Sequence, residues 1–165
     1  TLNNLIIPTA NEIKYLGLIL DKRLTWNPHI KHKRKTINSR LHILRPLLKS
    51  KLSLSNKLII YKSIIRPVWT YGIQLWGTAK PSNIKTLQVF QSICLRVIIS
   101  SPWYFTKNNL HKDLKISTLN QLAKLYYSKF HNNLNSHSNP LIKQLSSNSL
   151  LGNVRRRLKR QWPNA

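Results

Sequence analysis

The chain has 165 residues, of which 28 are lysine or arginine and only three are acidic, giving a formal net charge of +25. Glu12, Asp21 and Asp113 are too few and too scattered to hold the paired divalent cations of phosphoryl transfer, about 3.5–4 Å apart, or to supply the two facing carboxyls of a glycosidase. The balance points to binding: such a field repels itself unless a polyanion lies against it, and a nucleic-acid backbone adds counterion release to Coulomb attraction.

Residues 3–8 and 12–20 read as two short strands rich in β-branched and aromatic residues, with turn chemistry over 8–11. Gly17, inside the second run, predicts a bulge or a close backbone approach. From Thr25 the pattern turns helical. Asn27 before Pro28 offers an N-cap and a first-turn proline, and Trp26, Ile30, Ile37, Leu41, Leu44 and Leu48 form the apolar stripe. Pro46 predicts a kink or an end near the last turn.

Ser53 or Ser55 can cap the next helix, which carries Leu58, Tyr61, Ile65, Val68, Trp69 and Trp76. Pro67 removes a hydrogen bond to the Ser63 carbonyl and predicts a bend or break at Arg66. A third helix is expected from about Ser82 to Ile99, stopped by Ser100-Ser101-Pro102, and a fourth over 118–134. Residues 132–153 are rich in Ser and Asn and read as loosely ordered, and Arg155 to Arg160 form a basic tail. The expected architecture is mainly α: a β-hairpin over 1–25, a helical bundle over 26–100, and a partly ordered helical extension with a basic tail over 101–165.

Hydrophobic residues make up 41% of the chain, enough for a core, and the length suits one domain or a small domain with appendages. A/T-rich coding does not explain the charge, because Glu codons are about as A/T-rich as Lys codons and glutamate occurs once. Cys94 is the sole cysteine, so no internal disulfide or thiolate cluster is available, and its place on an apolar stripe makes it a core thiol. No apolar run approaches the ~20 residues of a membrane span, and no signal-peptide pattern opens the chain. Methionine is absent, and the first element reads as the second half of something larger, so the chain is expected to be a piece of a longer polypeptide.

The main candidate interface is the basic helix at 31–45. Lysine-rich faces are ordinarily just solvated, but here the glutamates that would offset them at i±4 are missing, so the like charges call for a partner. Trp69 and Trp76, seven apart, are expected in the core rather than in base stacking, and Trp103-Tyr104 is also weighed as packing. His29 and His32 have a spacing that could present two imidazoles to a metal, but nothing nearby completes a ligand set.

One run of residues has a known look. Lys14-Tyr15-Leu16-Gly17-Leu18-Ile19-Leu20-Asp21, then Leu24-Thr25-Trp26 and His29-Ile30, resembles the end of the reverse transcriptase of jockey-type non-LTR retrotransposons. The resemblance continues through Leu58 to Pro67 and is strongest at Trp69-Thr70-Tyr71-Gly72-Ile73-Gln74-Leu75-Trp76-Gly77. It extends over Leu87-Gln88, Phe90-Gln91, Arg96-Val97-Ile98 and Pro102-Trp103-Tyr104, with Ser101 where the family often has alanine, to Arg157-Leu158-Lys159-Arg160.

The resemblance implies roles. Tyr15, Leu16 and Gly17 match the hairpin that closes the polymerase palm and steadies the primer 3′ end, a primer-grip-like element. Residues 26 to about 99 match a three-helix thumb that holds the template–primer. The family's catalytic aspartates and their Mg2+ lie in the palm, upstream of Thr1, so no catalytic residue, metal ligand or cofactor is expected within this chain, and alone it should be inactive. The implied partners are an RNA–DNA template–primer and the upstream palm and fingers, in the cytoplasm and nucleus, with no membrane. Electrostatics and family role together nominate Lys31, Lys33, Arg34, Lys35 and Arg40 as backbone contacts, with Lys22 and Arg23 near the primer. The alternatives are an autonomous basic nucleic-acid-binding module, a decayed copy of a mobile element, and an apolar docking face at Trp69–Trp76.

Overall fold

A tight reverse turn opens the fold. In the computed structural model, which describes residues 10–102 and 104–144, β1 (Glu12–Tyr15) pairs antiparallel with β2 (Leu18–Asp21), Glu12 opposite Asp21 and Tyr15 opposite Leu18. Leu16 (φ 44°) and Gly17 (φ 76°) both adopt the left-handed conformation of a two-residue hairpin turn. The single strand expected over 12–20 is therefore two strands, because Gly17 supplies a turn rather than a bulge. The expected close approach is present: a Cβ at Gly17 would sit 3.3 Å from Cε1 of Tyr71. The strand expected at 3–8, Trp103 and the basic tail at 155–160 lie outside the described residues.

Asp21 joins the hairpin to the first helix. Its carboxylate accepts the Thr25 N–H (2.9 and 3.0 Å), the Thr25 hydroxyl (2.9 Å) and the Trp26 N–H (2.9 Å). Helix α1 (Asn27–Lys49) follows, with Trp26 at the cap position in the left-handed conformation (φ 63°). Asn27 is thus the first helical residue and not the N-cap, since Asp21 already draws the preceding N–H groups together. Ile30, Ile37, Leu41 and Leu48 face the core, and the helix passes through Pro46 to Lys49 with Leu48 fully buried in its last turn.

Ser53 caps α2 (Leu54–Ile60) by accepting the Asn56 N–H at 3.3 Å. The chain then takes a widened π-turn (Tyr61–Ile65), in which the Arg66 N–H reaches the Tyr61 carbonyl, and continues as α3 (Arg66–Thr70). Pro67 does not break the helical path, because the extra residue in the turn absorbs the missing donor.

The segment from Tyr71 to Gly77 makes a sharp corner. Gly72 (φ 68°) opens the single-turn helix α4 (Ile73–Trp76), and a Cβ there would meet Cδ2 of Leu18 at 2.8 Å. Trp69 and Trp76 are fully buried, as their spacing predicts, and Nε1 of Trp76 donates to the Tyr71 carbonyl at 3.0 Å. Helix α5 (Pro81–Ile99) runs parallel to α1. Asn83 donates to the Thr25 carbonyl at one end (3.2 Å), and Lys49 shares a groove with Arg96 at the other. Left-handed Ser100 (φ 50°) ends α5.

Helices α6 (Lys107–Asp113) and α7 (Leu119–Asn135) are clipped to this frame by a polar network. Buried Gln91 donates to the Tyr61 hydroxyl (3.1 Å) and the Ser117 carbonyl (3.0 Å), and accepts from Gln88 (3.0 Å). Gln88 in turn accepts the Leu119 N–H at 2.7 Å and donates to Nε2 of His111 at 3.0 Å. A Thr118–Gln121 capping box starts α7, as the expected boundary at 118 allows. Of the Ser/Asn-rich stretch, residues 145–153 lie outside the described residues; the described part ends α7 and forms a further short helix, α8 (Pro140–Gln144), where Asn139 accepts the Leu141 N–H at 3.0 Å. One buried cluster includes Leu18, Ile37, Trp69, Trp76, Leu95 and Leu122, so residues from all three expected segments share a core. Cys94 lies in it, its thiol pushed up to about 12 by burial, which leaves it inert.

The α4–α7 crossing should tolerate no side chain at Gly77. A Cβ there would strike the Ile73 carbonyl and approach Cβ of Ala123 at 2.9 Å. Gly77→Ala is expected to cost about 1–3 kcal/mol by overpacking, read as a lower urea midpoint with unchanged slope; an unchanged midpoint would show that the crossing is loose.

Candidate nucleic-acid interface

Successive residues of α1 are turned by about 100°, so the nominated cations divide between two faces with the core stripe between them. Lys33 and Arg40 line one groove of about 330 Å³ with His32, Thr36, Pro67 and Tyr71. Lys31, Arg34 and Lys35 line another of about 510 Å³, together with His42 and Arg45 of α1 and Ile93 of α5. The basic helix therefore carries two cationic faces instead of one.

The first groove meets the hairpin turn. The Tyr71 hydroxyl donates to the Leu16 carbonyl at 2.6 Å, and the same ring packs over Gly17. Nζ of Lys33 lies 5.1 Å from the Tyr71 ring centroid, a cation–π contact. Desolvation by burial, and then the charge of Arg40, hold this lysine below its usual value. Arg40 donates to the Ile64 carbonyl at 3.1 Å, which fixes its stem beside the π-turn. Tyr15 and Leu16, 62% and 70% exposed, lie at the turn that Tyr71 holds.

Lys22 and Arg23 are exposed at the opposite end of the hairpin. Strands of four residues put them about 13 Å from the turn. The structure thus brings Tyr15, Leu16 and Gly17 together with Lys33 and Arg40, and separates them from Lys22, Arg23, Lys31, Arg34 and Lys35. Tyr71, which links the turn to the helix, was not among the nominated site residues. Its contact with Leu16 spans 55 positions, and no local pattern signals it. Arg45, Lys49 and Arg96 also escaped nomination, although Lys31, Lys35, Asn38, His42, Arg45 and Lys49 recur at fours and threes in plain view.

Beneath the platform lies His29. Its Nδ1 accepts the Ile19 N–H at 3.2 Å, so the ring proton sits on Nε2, which is buried without a protein partner. The rings of Trp26 and Trp76 flank it at 6.0 and 6.1 Å. This burial separates His29 from exposed His32 as a metal pair, and among the described residues no group of three His, Cys, Asp or Glu could hold a metal ion. Nor do the acids suit magnesium. Glu12 faces Asp21 across the hairpin, and both Asp21 oxygens are already engaged by Thr25 and Trp26. Against desolvation, which raises it, those bonds hold the Asp21 carboxyl below 3.8. Among the described residues no helix is long and apolar enough to cross a membrane.

A reverse turn clamped to a basic helix, on an acid-poor helical frame, makes a positively charged platform. Comparison with known proteins gives its relatives. The chain is 38% identical over 159 residues, 95% of its length, to a probable RNA-directed DNA polymerase from the X-element transposon of Drosophila melanogaster. It is 36% identical over 170 residues, 99% of its length, to the RNA-directed DNA polymerase from the mobile element jockey of Drosophila funebris, and 36% identical over 162 residues to the one from transposon BS. The chain spans 17–19% of the length of these relatives. The resemblance read from its motifs holds: the chain is homologous to a segment of jockey-type RNA-directed DNA polymerases of mobile elements. No family model and no solved structure matches it.

His29 gives a test of the hairpin–helix joint. Burial, then Lys33 and His32, lower its value from 6.5 to about 4. The folded form therefore binds the proton later than the unfolded chain, so stability is intact above pH 6.5 and falls as the pH drops toward 4. Denaturant curves should show a loss of about 2 kcal/mol between pH 7 and pH 5, and His29→Gln should remove most of it; an equal loss in the variant would assign the effect to other groups.

Proposed function

We propose that the chain is the thumb and C-terminal portion of an RNA-directed DNA polymerase of a non-LTR retrotransposon, and that it holds the template–primer duplex by contacts to the backbone. The observation that carries this reading is the hydrogen bond from Tyr71 to Leu16, which sets the Tyr15–Gly17 turn at the edge of the groove of Lys33 and Arg40. An enzyme that must advance by one nucleotide per cycle needs a hold indifferent to sequence, and phosphate contacts from lysine and arginine supply one. The turn, with its exposed Tyr15 and Leu16, would steady the end of the primer strand, while Lys33 and Arg40 would follow its phosphates. The reacting carboxylates and Mg2+ would belong to an upstream palm of the same polypeptide, since the acids described here are scattered or engaged. Such a polymerase would act in the cytoplasm and nucleus.

Lys33→Gln with Arg40→Gln tests the reading. Binding of an RNA–DNA hybrid by the 165-residue chain should weaken about tenfold, and the salt slope should fall by about 2, because two phosphates are no longer neutralised. The same pair placed in a full-length polymerase should shorten its extension products. Unchanged hybrid affinity and product length would overturn the proposal.

A further inference from the structure

The second face of α1 remains without a role. Lys31, Lys35, Asn38, His42, Arg45 and Lys49 fall at spacings of four, three, four, three and four, a single file along the helix. That file is about 27 Å long at 1.5 Å per residue. Across from it, α5 lines the groove with exposed Ile93 and half-buried Val97 over buried Phe90, an apolar wall. The groove of about 510 Å³ between them leads into a second of about 470 Å³, which shares Ile93 and Val97 and adds Lys49, Arg96, Ser100 and Ser101. None of the three acidic residues lines either groove.

We infer that this continuous α1–α5 groove is a separate track for single-stranded RNA, distinct from the duplex-holding face at Tyr71. The inference rests on the reading above that the polyanion is nucleic acid, and adds a second site for it. Width selects the occupant. Packed helices lie about 8–10 Å apart, so the hollow between two of them is too narrow to take the body of a duplex. One strand fits where two do not. The two walls match the two sides of that strand: charged phosphates along the α1 file, and base faces against the apolar wall. Arg34, which lines the groove beside the file, carries a planar group on which a base can stack. A track on the far side of α1 would let one segment hold unpaired RNA while the Tyr71 face holds the hybrid.

The test uses the 165-residue chain, a ~10-nucleotide RNA strand of a length suited to such channels, and a blunt RNA–DNA hybrid. Lys35→Gln, Arg45→Gln and Lys49→Gln together should weaken RNA-strand binding about tenfold and lower its salt slope by about 2, at ~0.7 per phosphate. Hybrid affinity should stay within about twofold. Ile93→Asn should weaken strand binding with the slope unchanged. Lys33→Gln with Arg40→Gln should do the reverse of the triple variant, lowering hybrid binding alone. If both variants weaken both ligands alike, the grooves are one undivided field and the inference fails. It fails also if the strand ignores the triple variant, or if an acidic amphipathic peptide binds the groove and RNA does not; hybrid binding that still responds to Lys33 and Arg40 would leave the earlier reading standing.

Discussion

The corner from Tyr71 to Gly77 is the constraint on which the rest of the molecule depends. In seven residues it donates one hydrogen bond to the hairpin through the Tyr71 hydroxyl and closes its own turn through Nε1 of Trp76. It also admits Leu18 against Gly72 and lets Ala123 approach Gly77. Hairpin and α7 therefore both pack against the corner where a glycine leaves them no Cβ to meet. Each glycine is required by a neighbour from a distant part of the chain, and each ring is held by a backbone carbonyl. The chemistry of this corner is that of assembly.

Charge works against this assembly. Twenty-eight cations and three acids leave α1 with repulsion along its length, and its stability must come from the apolar stripe of Ile30, Ile37, Leu41 and Leu48. Of the three acids, Asp21 has a structural use. Asp21 ties the hairpin to α1, and uncharged groups do what ion pairs do elsewhere, as in the Gln88–Gln91 network that attaches α6 and α7. The surface is thereby left positive on both sides of α1 while the interior holds together without salt links at these joints.

Much of this was legible in the residues. The helical stripes, the burial of Trp69 and Trp76, the inert Cys94 and a serine cap at 53 or 55 follow from spacing and side-chain type alone. Three things did not. The two-residue turn at Leu16 was hidden because leucine seldom takes a positive φ, so only Gly17 gave a sign of it. The cap at Asn27 was displaced by Asp21, six positions away, whose carboxylate no local rule would aim there. The division of the basic cluster into two faces was written in the spacing of Lys31 through Lys49, but telling which side meets the hairpin requires the Tyr71–Leu16 contact, a purely tertiary fact.

The π-turn at Tyr61–Ile65 has a geometric corollary. Tyr61, Ile65 and Trp69 are all fully buried, yet they are spaced by four rather than 3.6, and in a regular helix that interval would drift by about 40° at each step. The wider loop of backbone takes up the surplus, so the rod before it and the rod after it present their buried side chains along one line. The azimuth at which Tyr71 arrives beside the hairpin is set there, ten residues upstream. Wind that loop into a regular helix with every residue kept, and the corner would arrive turned away from the hairpin with each of its own bonds still available to form.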